Sequence, residues 1–454
     1  MELRIDRQAL VPVVQQVVDA LAGRIRQGAI EPGTRLPSIR QLARDNLLSQ
    51  SCVIEAYERM VAQGVLASRH GSSYFVVTPA LPRSPEDVLT GEASRLPLGS
   101  AGMPQSWRES DDLGYAIRQV SRTDMQGLFS YSSGYGLPAL RLQILKRLKQ
   151  IAIVAEPSQV LTTAGATHGL DLIIRTLLKP GDCVVVETPG HSNLFEQLQL
   201  LGVRMLEVPR TPRGPDIQVL ESLLAAHQPR ALFINSQLHN PTGSCLAPAV
   251  AQRILELAGQ YGLSIVEDDV YADFQGRSAT RLAALDNAGC VIYLGSFSKT
   301  LSSSLRVGYV VANQALVERL AQVKRITSLG VSCFSEAVLN TLLANGAYRK
   351  LVQRQRLRLK REMNASLQVL EDADWEVFGR PSGGLYIWAR PKACNAEQAS
   401  ALAQQHGIAL AGSAEFSPSG EAGDWLRINV AYAGDAQALA FFRACALPDR
   451  PQVF

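Results

Sequence analysis

The stretch "YLGSFSKTLSSSLRVGYV", residues Tyr293–Val310, carries the pattern that decides the fold of this chain. Apolar, β-rich runs lie at both of its ends, and between them Lys299 stands among small hydroxyl residues, seven positions before Arg306. Similar apolar runs recur from about residue 100 onward, with helical segments between them. Continuous apolar strands between helices predict a mostly parallel sheet that is covered on both faces. Lys299 should therefore follow one strand of an α/β domain.

After about residue 330 the pattern changes to long helices and shorter strands, which predicts a smaller C-terminal α/β lobe. We expect one α/β body over residues 100–454, with a large lobe at about 140–330 and a small lobe at about 331–454. A chain of 454 residues exceeds what one hydrophobic core usually supports, so a two-lobed body with an accessory module fits its length.

The composition excludes several classes of protein. A content of 46% hydrophobic and 19% charged residues is typical of a soluble globular protein, and a net charge of +4 is too weak to predict nucleic-acid or membrane binding by itself. The seven cysteines are scattered without a Cys-x-x-Cys pair, which argues against a disulfide framework or zinc site and favours a reducing cytoplasm. No window of about 18 apolar residues predicts a membrane span, and the N-terminus lacks the unbroken apolar segment of a signal peptide.

Ligands bind at the carboxyl ends of strands in open parallel sheets, so the residues that follow each predicted strand are the candidates for a site. In "LTTAGATHGLDL" a strand gives way to a helix at Gly165, Ala166 and Thr167. The free N–H groups and the positive dipole end of a helix start can hold an anion or a phosphate. An ordinary helix cap is the alternative interpretation.

Two further strand ends carry polar residues. Asn240 begins the turn sequence Asn-Pro-Thr-Gly, which an ordinary loop would also explain. In "SIVEDDVYADF", Glu267, Asp268 and Asp269 follow an apolar run. Tyr271 lies three positions after Asp268. Clustered carboxylates can bind a metal, but no His or Cys lies at ligand spacing, so we expect no metal site.

The order of these features is more specific than any one of them. An amide cradle, Asn-Pro-Thr-Gly, Asp-x-x-Tyr and Ser-x-Ser-Lys followed by Arg resemble, in this order and spacing, the fold-type I aminotransferases, which use pyridoxal 5′-phosphate. The resemblance covers residues from about 100 to 440. It implies a mixed, mostly parallel sheet with a smaller C-terminal lobe and a covalently held cofactor.

The resemblance implies a role for each motif. Lys299 would form a Schiff base with the cofactor aldehyde, which requires a primary amine. Asp268 would keep the pyridine nitrogen protonated, so that the ring can act as an electron sink. Asn240 and Tyr271 would hydrogen-bond the 3′ oxygen of the ring, and Lys299, Asp268 and Tyr271 would be the catalytic set. Ser296, Arg306 and the amides of Ala166 and Thr167 would hold the phosphate. Gly165 and Ser298 are the other residues implied for cofactor binding.

Three further residues follow from the same resemblance. Tyr131 in "YSSGYGLPALR" is similar to the tyrosine that reaches a phosphate across a dimer interface, which implies a homodimer. Arg427 in "DWLRINVA" resembles the arginine that pairs with a substrate carboxylate, for which the bidentate guanidinium is suited. His191 stands where many relatives stack an aromatic side chain on the cofactor ring. An imidazole stacks less extensively, and an ordinary loop histidine is the alternative.

A competing motif lies at residues 134–139, where "GYGLPA" fits the G-x-G-x-x-A dinucleotide-binding pattern. No strand-turn-helix context precedes it, and Pro138 followed by charged residues predicts an exposed helix start. We therefore do not predict a dinucleotide site.

Residues 1–78 form a separate pattern of three helices and two short β runs. Apolar residues recur at helical spacing in three segments, and "VLASRHGSSYFVV" has two β runs around a glycine turn. This is the arrangement of a winged helix-turn-helix, whose third helix can enter the DNA major groove. The Leu-Pro-Ser-x-Arg turn, the "EAYERM" helix and the His-Gly wing tip resemble the GntR-type winged helix.

The charge of this module is low for a DNA-binding domain. Nine Arg and no Lys against seven Asp and Glu give residues 1–78 a net charge of +2, so binding has to rest on individually placed arginines. Gln50 stands where many relatives have arginine, although glutamine can read adenine. A winged helix used for protein contacts is the alternative. The candidate DNA-binding residues are Arg35, Ser38, Arg40, Ser49, Gln50, Ser51, Arg69, His70 and Gly71.

Residues 79–99 hold four prolines and little apolar periodicity, which predicts a semi-extended linker. A winged helix joined in this way to an aminotransferase-like domain resembles the MocR subfamily of GntR regulators. The resemblance implies a pyridoxal-phosphate-dependent transcription regulator, with double-stranded DNA as partner and pyridoxal phosphate or an amino compound as effector. An active aminotransferase that converts an amino acid to a 2-oxo acid is the second hypothesis. A cofactor-binding scaffold without a DNA function is the third.

Overall fold

The computed structural model describes residues 1, 3, 5, 12–26, 30, 34–62, 66–69, 73–76, 95–104, 107, 110–123, 131–275 and 279–446. The chain divides into two compact units, Met1–Ala93 and Ser94–Phe454. No helix in the described part of the chain combines the length and the apolar character needed to cross a membrane.

The first unit has the three helices and the two-stranded wing that the sequence predicts. The helices are Val13–Arg26, Ile39–Asp45 and Gln50–Ala62, and their apolar faces meet in one core. Strands β1 (Leu66–Arg69) and β2 (Ser73–Val76) pair in antiparallel register. Three helices followed by a two-stranded wing confirm the winged helix-turn-helix.

Two serines fix the starts of the second and third helices. The Ser38 Oγ accepts a hydrogen bond from the backbone N–H of Gln41 at 3.2 Å, and the Ser49 Oγ accepts one from Cys52 at 3.2 Å. Each cap stabilises a helix by about 1 kcal/mol because it satisfies an N–H group that lacks an acceptor within the helix.

The second unit contains an eight-stranded sheet. Its strands are β3 Val160–Thr163, β4 Cys183–Thr188, β5 Arg204–Thr211, β6 Gly214–Pro215, β7 Ala231–Ile234, β8 Ser264–Asp268, β9 Val291–Ser296 and β10 Gly308–Val311. Their order in the sheet is β3-β10-β9-β8-β7-β4-β5-β6. The run from β9 to β5 is parallel, whereas β10 is antiparallel to both of its neighbours and β6 is antiparallel to β5. This confirms the mostly parallel sheet.

Helices pack on both faces of this sheet. Side chains alternate along β4, so that Val184 and Val186 join one apolar core and Val185 joins another on the opposite face. The helices of this part of the chain are Ser110–Thr123, Pro138–Gln150, Gly165–Leu177, Ser192–Leu200, Ile217–His227, Pro248–Tyr261, Leu282–Leu285, Gln314–Ser328 and Cys333–Ala344.

A smaller lobe is built on three antiparallel strands, β11 (Trp375–Val377), β12 (Tyr386–Pro391) and β13 (Leu426–Asn429). The helices that pack on it are Ala347–Asp372, Ala396–Gln405 and Ala436–Ala446.

The segment that enters the second unit is bound to this smaller lobe. The backbone N–H of Leu96 donates to the Gly407 carbonyl at 2.8 Å, and that of Gly99 donates to the Ala409 carbonyl at 2.9 Å. Leu98 is fully buried in the core of the small lobe. The chain therefore becomes part of the lobe before it reaches the predicted site.

Candidate functional site

The predicted site residues follow the carboxyl ends of the parallel strands, which meet at one edge of the large sheet. His191 comes after β4 and Asn240 comes after β7. Asp268 ends β8, and Lys299 comes after β9. The topology thus brings together four side chains that are up to 108 positions apart in the sequence, from 191 to 299.

The Asp268 carboxyl group lies in surroundings that disfavour its charge. Burial, with a contribution from the Asp269 carboxyl, raises its pKa to about 7. A hydrogen bond from the Val270 N–H to the Asp268 Oδ1, 3.2 Å long, and the Lys299 ammonium oppose this rise. A positively charged N–H group placed against Asp268 would offset the cost of its ionisation.

Lys299 projects toward the backbone of the entering segment. Its Nζ donates a hydrogen bond to the Ala101 carbonyl at 3.1 Å. Nearby, the Ser296 Oγ accepts from the Ser298 N–H at 3.2 Å. The Ser298 Oγ is buried and has no hydrogen-bond partner among the described residues. A buried hydroxyl without a partner is costly, so this group is available to a ligand.

The predicted phosphate cradle has the geometry of an anion site. Gly165 opens its helix with φ +79°, and a Cβ at this position would lie 2.6 Å from the Arg306 Nη2. Glycine therefore lets the Arg306 guanidinium approach the helix start, where its Nη2 donates to the Ala164 carbonyl at 3.2 Å. The N–H groups of Ala166 and Thr167 lie in the first turn and have no acceptor within the helix.

Arg427 is 4% exposed and held in a fixed orientation. Its Nε and Nη2 donate to the Gly99 carbonyl at 3.0 and 2.7 Å, and its Nη1 donates to the Asn240 Oδ1 at 2.8 Å. The rings of Tyr386 and Phe416 lie 5.0 and 4.7 Å from the guanidinium carbon. Among the described contacts, one N–H on each Nη remains for a ligand, which is the number that a bidentate carboxylate needs.

Tyr271 and His191 are two further predicted site residues that the structure buries. The Tyr271 hydroxyl is buried and lies 2.9 Å from the Tyr386 hydroxyl. Burial, with the nearby Lys299 and Arg427 charges, lowers the pKa of His191 to about 4, so its ring is neutral at pH 7. The His191 Nδ1 is enclosed and has no hydrogen-bond partner among the described residues. Tyr131, by contrast, is 85% exposed.

Sequence reasoning missed a buried ion pair beneath this site. Arg210 donates from Nη1 to the Glu187 Oε1, and its Nε donates to the Ser244 Oγ at 3.1 Å. Burial alone would raise the pKa of Glu187, but Arg210 and then His239 lower it to about 2. The signal was a glutamate at the end of the apolar run "CVVVET".

Tyr386 was also missed, because its contacts depend on pairing in the small lobe. It lies on β12 directly opposite Asn429 on β13. This pairing brings its side chain to Tyr271 and Arg427, and no local pattern in "GGLYIWARP" predicts it.

Residues 96–442 match the family described as aminotransferase class I and II. The chain belongs to this family. Residues 13–76 match the bacterial regulatory proteins of the gntR family. The two matches in this order confirm the MocR-type organisation, a GntR-type regulator fused to an aminotransferase-like domain.

Both regulators and aminotransferases are among the proteins similar to this chain. A probable rhizopine catabolism regulatory protein, MocR of Rhizobium meliloti, is 28% identical over 421 residues, which cover 86% of this chain and 83% of the relative. A 2-aminoadipate transaminase of Thermus thermophilus is 30% identical over 371 residues, covering 72% of this chain and 93% of the relative. The crystal structure of LysN, the α-aminoadipate aminotransferase from Thermus thermophilus complexed with N-(5′-phosphopyridoxyl)-L-leucine, superposes with a TM-score of 0.72 at 27% identity, covering 80% of this chain and 92% of that one.

The family and the phosphopyridoxyl group in the LysN structure imply pyridoxal 5′-phosphate as the cofactor. The residues of this chain fit that group. A primary amine at Lys299, an acid of raised pKa at Asp268 and helix-start amides beside Arg306 match its aldehyde, ring nitrogen and phosphate. The unpartnered Ser298 Oγ adds a donor. The bound cofactor supplies an electron sink next to an amino group.

The candidate DNA-binding residues of the gntR-type unit lie largely on its surface. The Ser38 and Ser49 hydroxyls are used as helix caps, so their acceptor capacity is partly committed. His70, Gly71 and the side chain of Arg69 lie outside the described residues. The exposed candidates are Arg35, Ser38, Arg40, Ser49, Gln50 and Ser51.

Proposed function

We propose that this protein regulates transcription by binding DNA and senses pyridoxal phosphate, or an amino compound that reacts with it, through Lys299. Residues 1–78 would bind double-stranded DNA, and residues 79–99 would be the linker between the two domains. Residues 100–454 would bind the cofactor and sense it or the amino compound. The observation that carries the proposal is the contact between Lys299 and Ala101, since Ala101 lies in the segment that directly follows the linker. A change at the amine can thereby act on the chain that leads to the DNA-binding unit.

Each residue of the pocket has a part in holding the ligand. Lys299 would supply the amine, and Asp268, whose pKa is raised to about 7, would accept a hydrogen bond from a positively charged ring N–H. The Asn240 Oδ1 accepts a hydrogen bond from Arg427, which leaves the Asn240 Nδ2 as a donor toward a ligand oxygen. Arg427 would bind the carboxylate of an amino acid with its two remaining N–H groups. The neutral His191 ring would stack on the cofactor.

The proposal includes a cytoplasmic homodimer. Tyr131 would reach the phosphate site of a second copy, for which its 85% exposure leaves it available. The described residues include seven cysteines and no disulfide, which suits a reducing compartment, where DNA is also found.

The third helix would enter the major groove with Gln50 and Ser51 at its start, and Arg35 and Arg40 would contact phosphates. Because this unit carries few positive charges, we expect modest affinity that falls with added salt.

A mobility shift on the DNA upstream of the gene tests this function. Three forms of the full chain are compared: without ligand, with pyridoxal phosphate, and with pyridoxal phosphate plus an amino acid, each beside Lys299→Ala. We expect binding that differs between forms in the wild type and is equal in the variant. Equal DNA affinity for all wild-type forms would contradict the sensing role. If no form binds the DNA, the proposed role as a regulator is contradicted.

A second candidate function is transamination. The specific observation in its favour is that Arg427 has a fixed orientation and that its charge and that of Lys299 both act on His191. Sustained conversion of an amino acid and a 2-oxo acid by the purified protein, abolished in Lys299→Ala, would support it. A single half-reaction without turnover would leave the regulator as the function.

A further inference from the structure

Tyr386 contacts several parts of the pocket at once. Its side chain is 1% exposed, its ring lies against the Arg427 guanidinium, and it meets the Tyr271 ring edge-on with 5.7 Å between centroids. Its hydroxyl lies 2.9 Å from the Tyr271 hydroxyl and donates to the Ala101 carbonyl at 3.2 Å. The same carbonyl accepts the hydrogen bond from Lys299. One hydroxyl therefore lies between two predicted cofactor ligands.

The direction of these hydrogen bonds follows from the number of protons. A phenol has a single O–H donor. Because Tyr386 donates to the Ala101 carbonyl, the proton between the two hydroxyls has to come from Tyr271. Tyr271 then has no proton left for a ligand oxygen. For Tyr271 to donate to a ligand, Tyr386 has to turn its O–H from Ala101 to Tyr271.

The Ala101 carbonyl belongs to a segment, Gly99–Gly102, that side chains of the site hold along its whole length. Arg427 donates to the Gly99 carbonyl. Asn429 is fully buried, and its Nδ2 donates to the carbonyls of Ser100 at 3.0 Å and Gly102 at 2.7 Å. If the Tyr386 hydroxyl no longer donates to Ala101, the segment that follows the linker loses one of its hydrogen bonds.

We propose that Tyr386 is a positioning residue, whose O–H points to Ala101 in the free protein and to Tyr271 when Tyr271 donates to a bound ligand. This inference rests on the proposed function, because it takes Tyr271 and Lys299 as cofactor ligands. In the second arrangement the two hydroxyls form a chain, and a donor that itself accepts a hydrogen bond is a stronger donor. Tyr386 would then strengthen the hydrogen bond from Tyr271 to the cofactor and release the Ala101 carbonyl.

Tyr386→Phe tests the proposal, because it removes the hydroxyl and keeps the ring against Arg427. The measurement is the absorbance of pyridoxal phosphate bound to the full chain as a function of pH. Without Tyr386 behind it, Tyr271 stabilises the ionised cofactor less, so we expect the midpoint to rise by about 0.5 pH unit, roughly a threefold change in the ionisation constant. Tyr309→Phe, which removes another buried tyrosine hydroxyl away from Ala101 and Tyr271, should leave the midpoint in place.

A midpoint that stays or falls in Tyr386→Phe, or an equal rise in Tyr309→Phe, would overturn the proposal. Borohydride reduction followed by peptide mass spectrometry separates this result from the proposed function. Failure to label Lys299 in the wild type would defeat the proposed function itself. Labelling of Lys299 with an unmoved midpoint in Tyr386→Phe would defeat the inference about Tyr386 alone.

Discussion

Two carboxyl groups at strand ends of the same sheet, Glu187 near the end of β4 and Asp268 at the end of β8, have opposite environments. Glu187 is paired with Arg210 and accepts the Asn235 N–H at 2.8 Å, so its pKa falls to about 2 despite burial. Asp268 has no such ion pair among the described residues, and burial raises its pKa to about 7. A buried carboxylate that is paired with a protein cation has a structural role, whereas a buried carboxyl group without such a partner is suited to bind a cationic group of a ligand.

The two groups should also affect stability in opposite directions with pH. Glu187 has a lowered pKa in the folded state, so its contribution is present above the unfolded value of 4.5 and is lost as pH falls toward about 2. Asp268 has a raised pKa, so the folded state binds the proton more tightly than the unfolded chain. Its contribution therefore declines as pH rises from 3.8 to about 7.

The largest expected effect comes from removing the partner of Glu187. Arg210→Ala would leave a buried carboxylate unpaired, and we expect the free energy of unfolding in urea to fall by about 3–5 kcal/mol at pH 7. The matched control is Arg253→Ala, which breaks ion pairs with Glu221 and Glu256 where the Arg253 side chain is 38% exposed. Solvent screens exposed ion pairs so that they contribute little to stability, and equal losses in the two variants would therefore contradict the comparison.

Removing the charge of Asp268 should raise the free energy of unfolding rather than lower it. We expect Asp268→Asn to stabilise the protein without ligand by on the order of 3 kcal/mol at pH 8, since the variant avoids ionising a buried acid. The gain should shrink as pH falls from about 7 and vanish below 3.8, where the wild-type group is protonated in both states. Melting temperatures of both proteins at several pH values check this. A gain that does not depend on pH would show that the charge of Asp268 is not its cause.

The same substitution should weaken the binding of the cofactor. A hydrogen bond to a charged group contributes about 2 kcal/mol, so we expect the affinity of Asp268→Asn for pyridoxal phosphate to fall by roughly 30-fold in a spectrophotometric titration at pH 8. The control is Asp286→Asn. The wild-type Asp286 carboxylate accepts hydrogen bonds from backbone N–H groups in a loop away from the strand ends of the site. If both variants bind the cofactor like the wild type, Asp268 does not face the ring nitrogen.

The smallest expected effect is at an exposed charge, which has neither the burial of Asp268 nor the partner of Glu187. Arg40→Ala should lower DNA affinity by about fivefold and reduce the salt slope by about 1, because one phosphate contact is lost. Arg59→Ala is the control, since the Arg59 guanidinium pairs with Glu55 at 2.7 Å on the third helix. Equal losses in both variants would indicate a general charge effect rather than a contact at Arg40.

The sequence predicted those parts of the molecule that local pattern determines. Apolar runs marked β3, β4, β7, β8, β9 and β10. The polar residues after β4, β7, β8 and β9 meet at one edge because these parallel strands share their direction. Ser38 stands before one apolar helical face, and Ser49 or Ser51 could cap the next helix by position alone. The structure uses Ser38 and Ser49. Contacts between distant segments had no local signal. Arg427 on Gly99, Tyr386 on Ala101 and Arg210 on Glu187 depend on which strands and lobes come together.

The affinity of pyridoxal phosphate for the full chain, measured with and without saturating upstream DNA, tests the central claim most directly. If Lys299 and the DNA-binding unit are coupled, DNA has to change the cofactor affinity by the same factor as the cofactor changes DNA affinity. We predict a change of about fivefold or more. An affinity for pyridoxal phosphate that is the same with and without DNA would contradict the account.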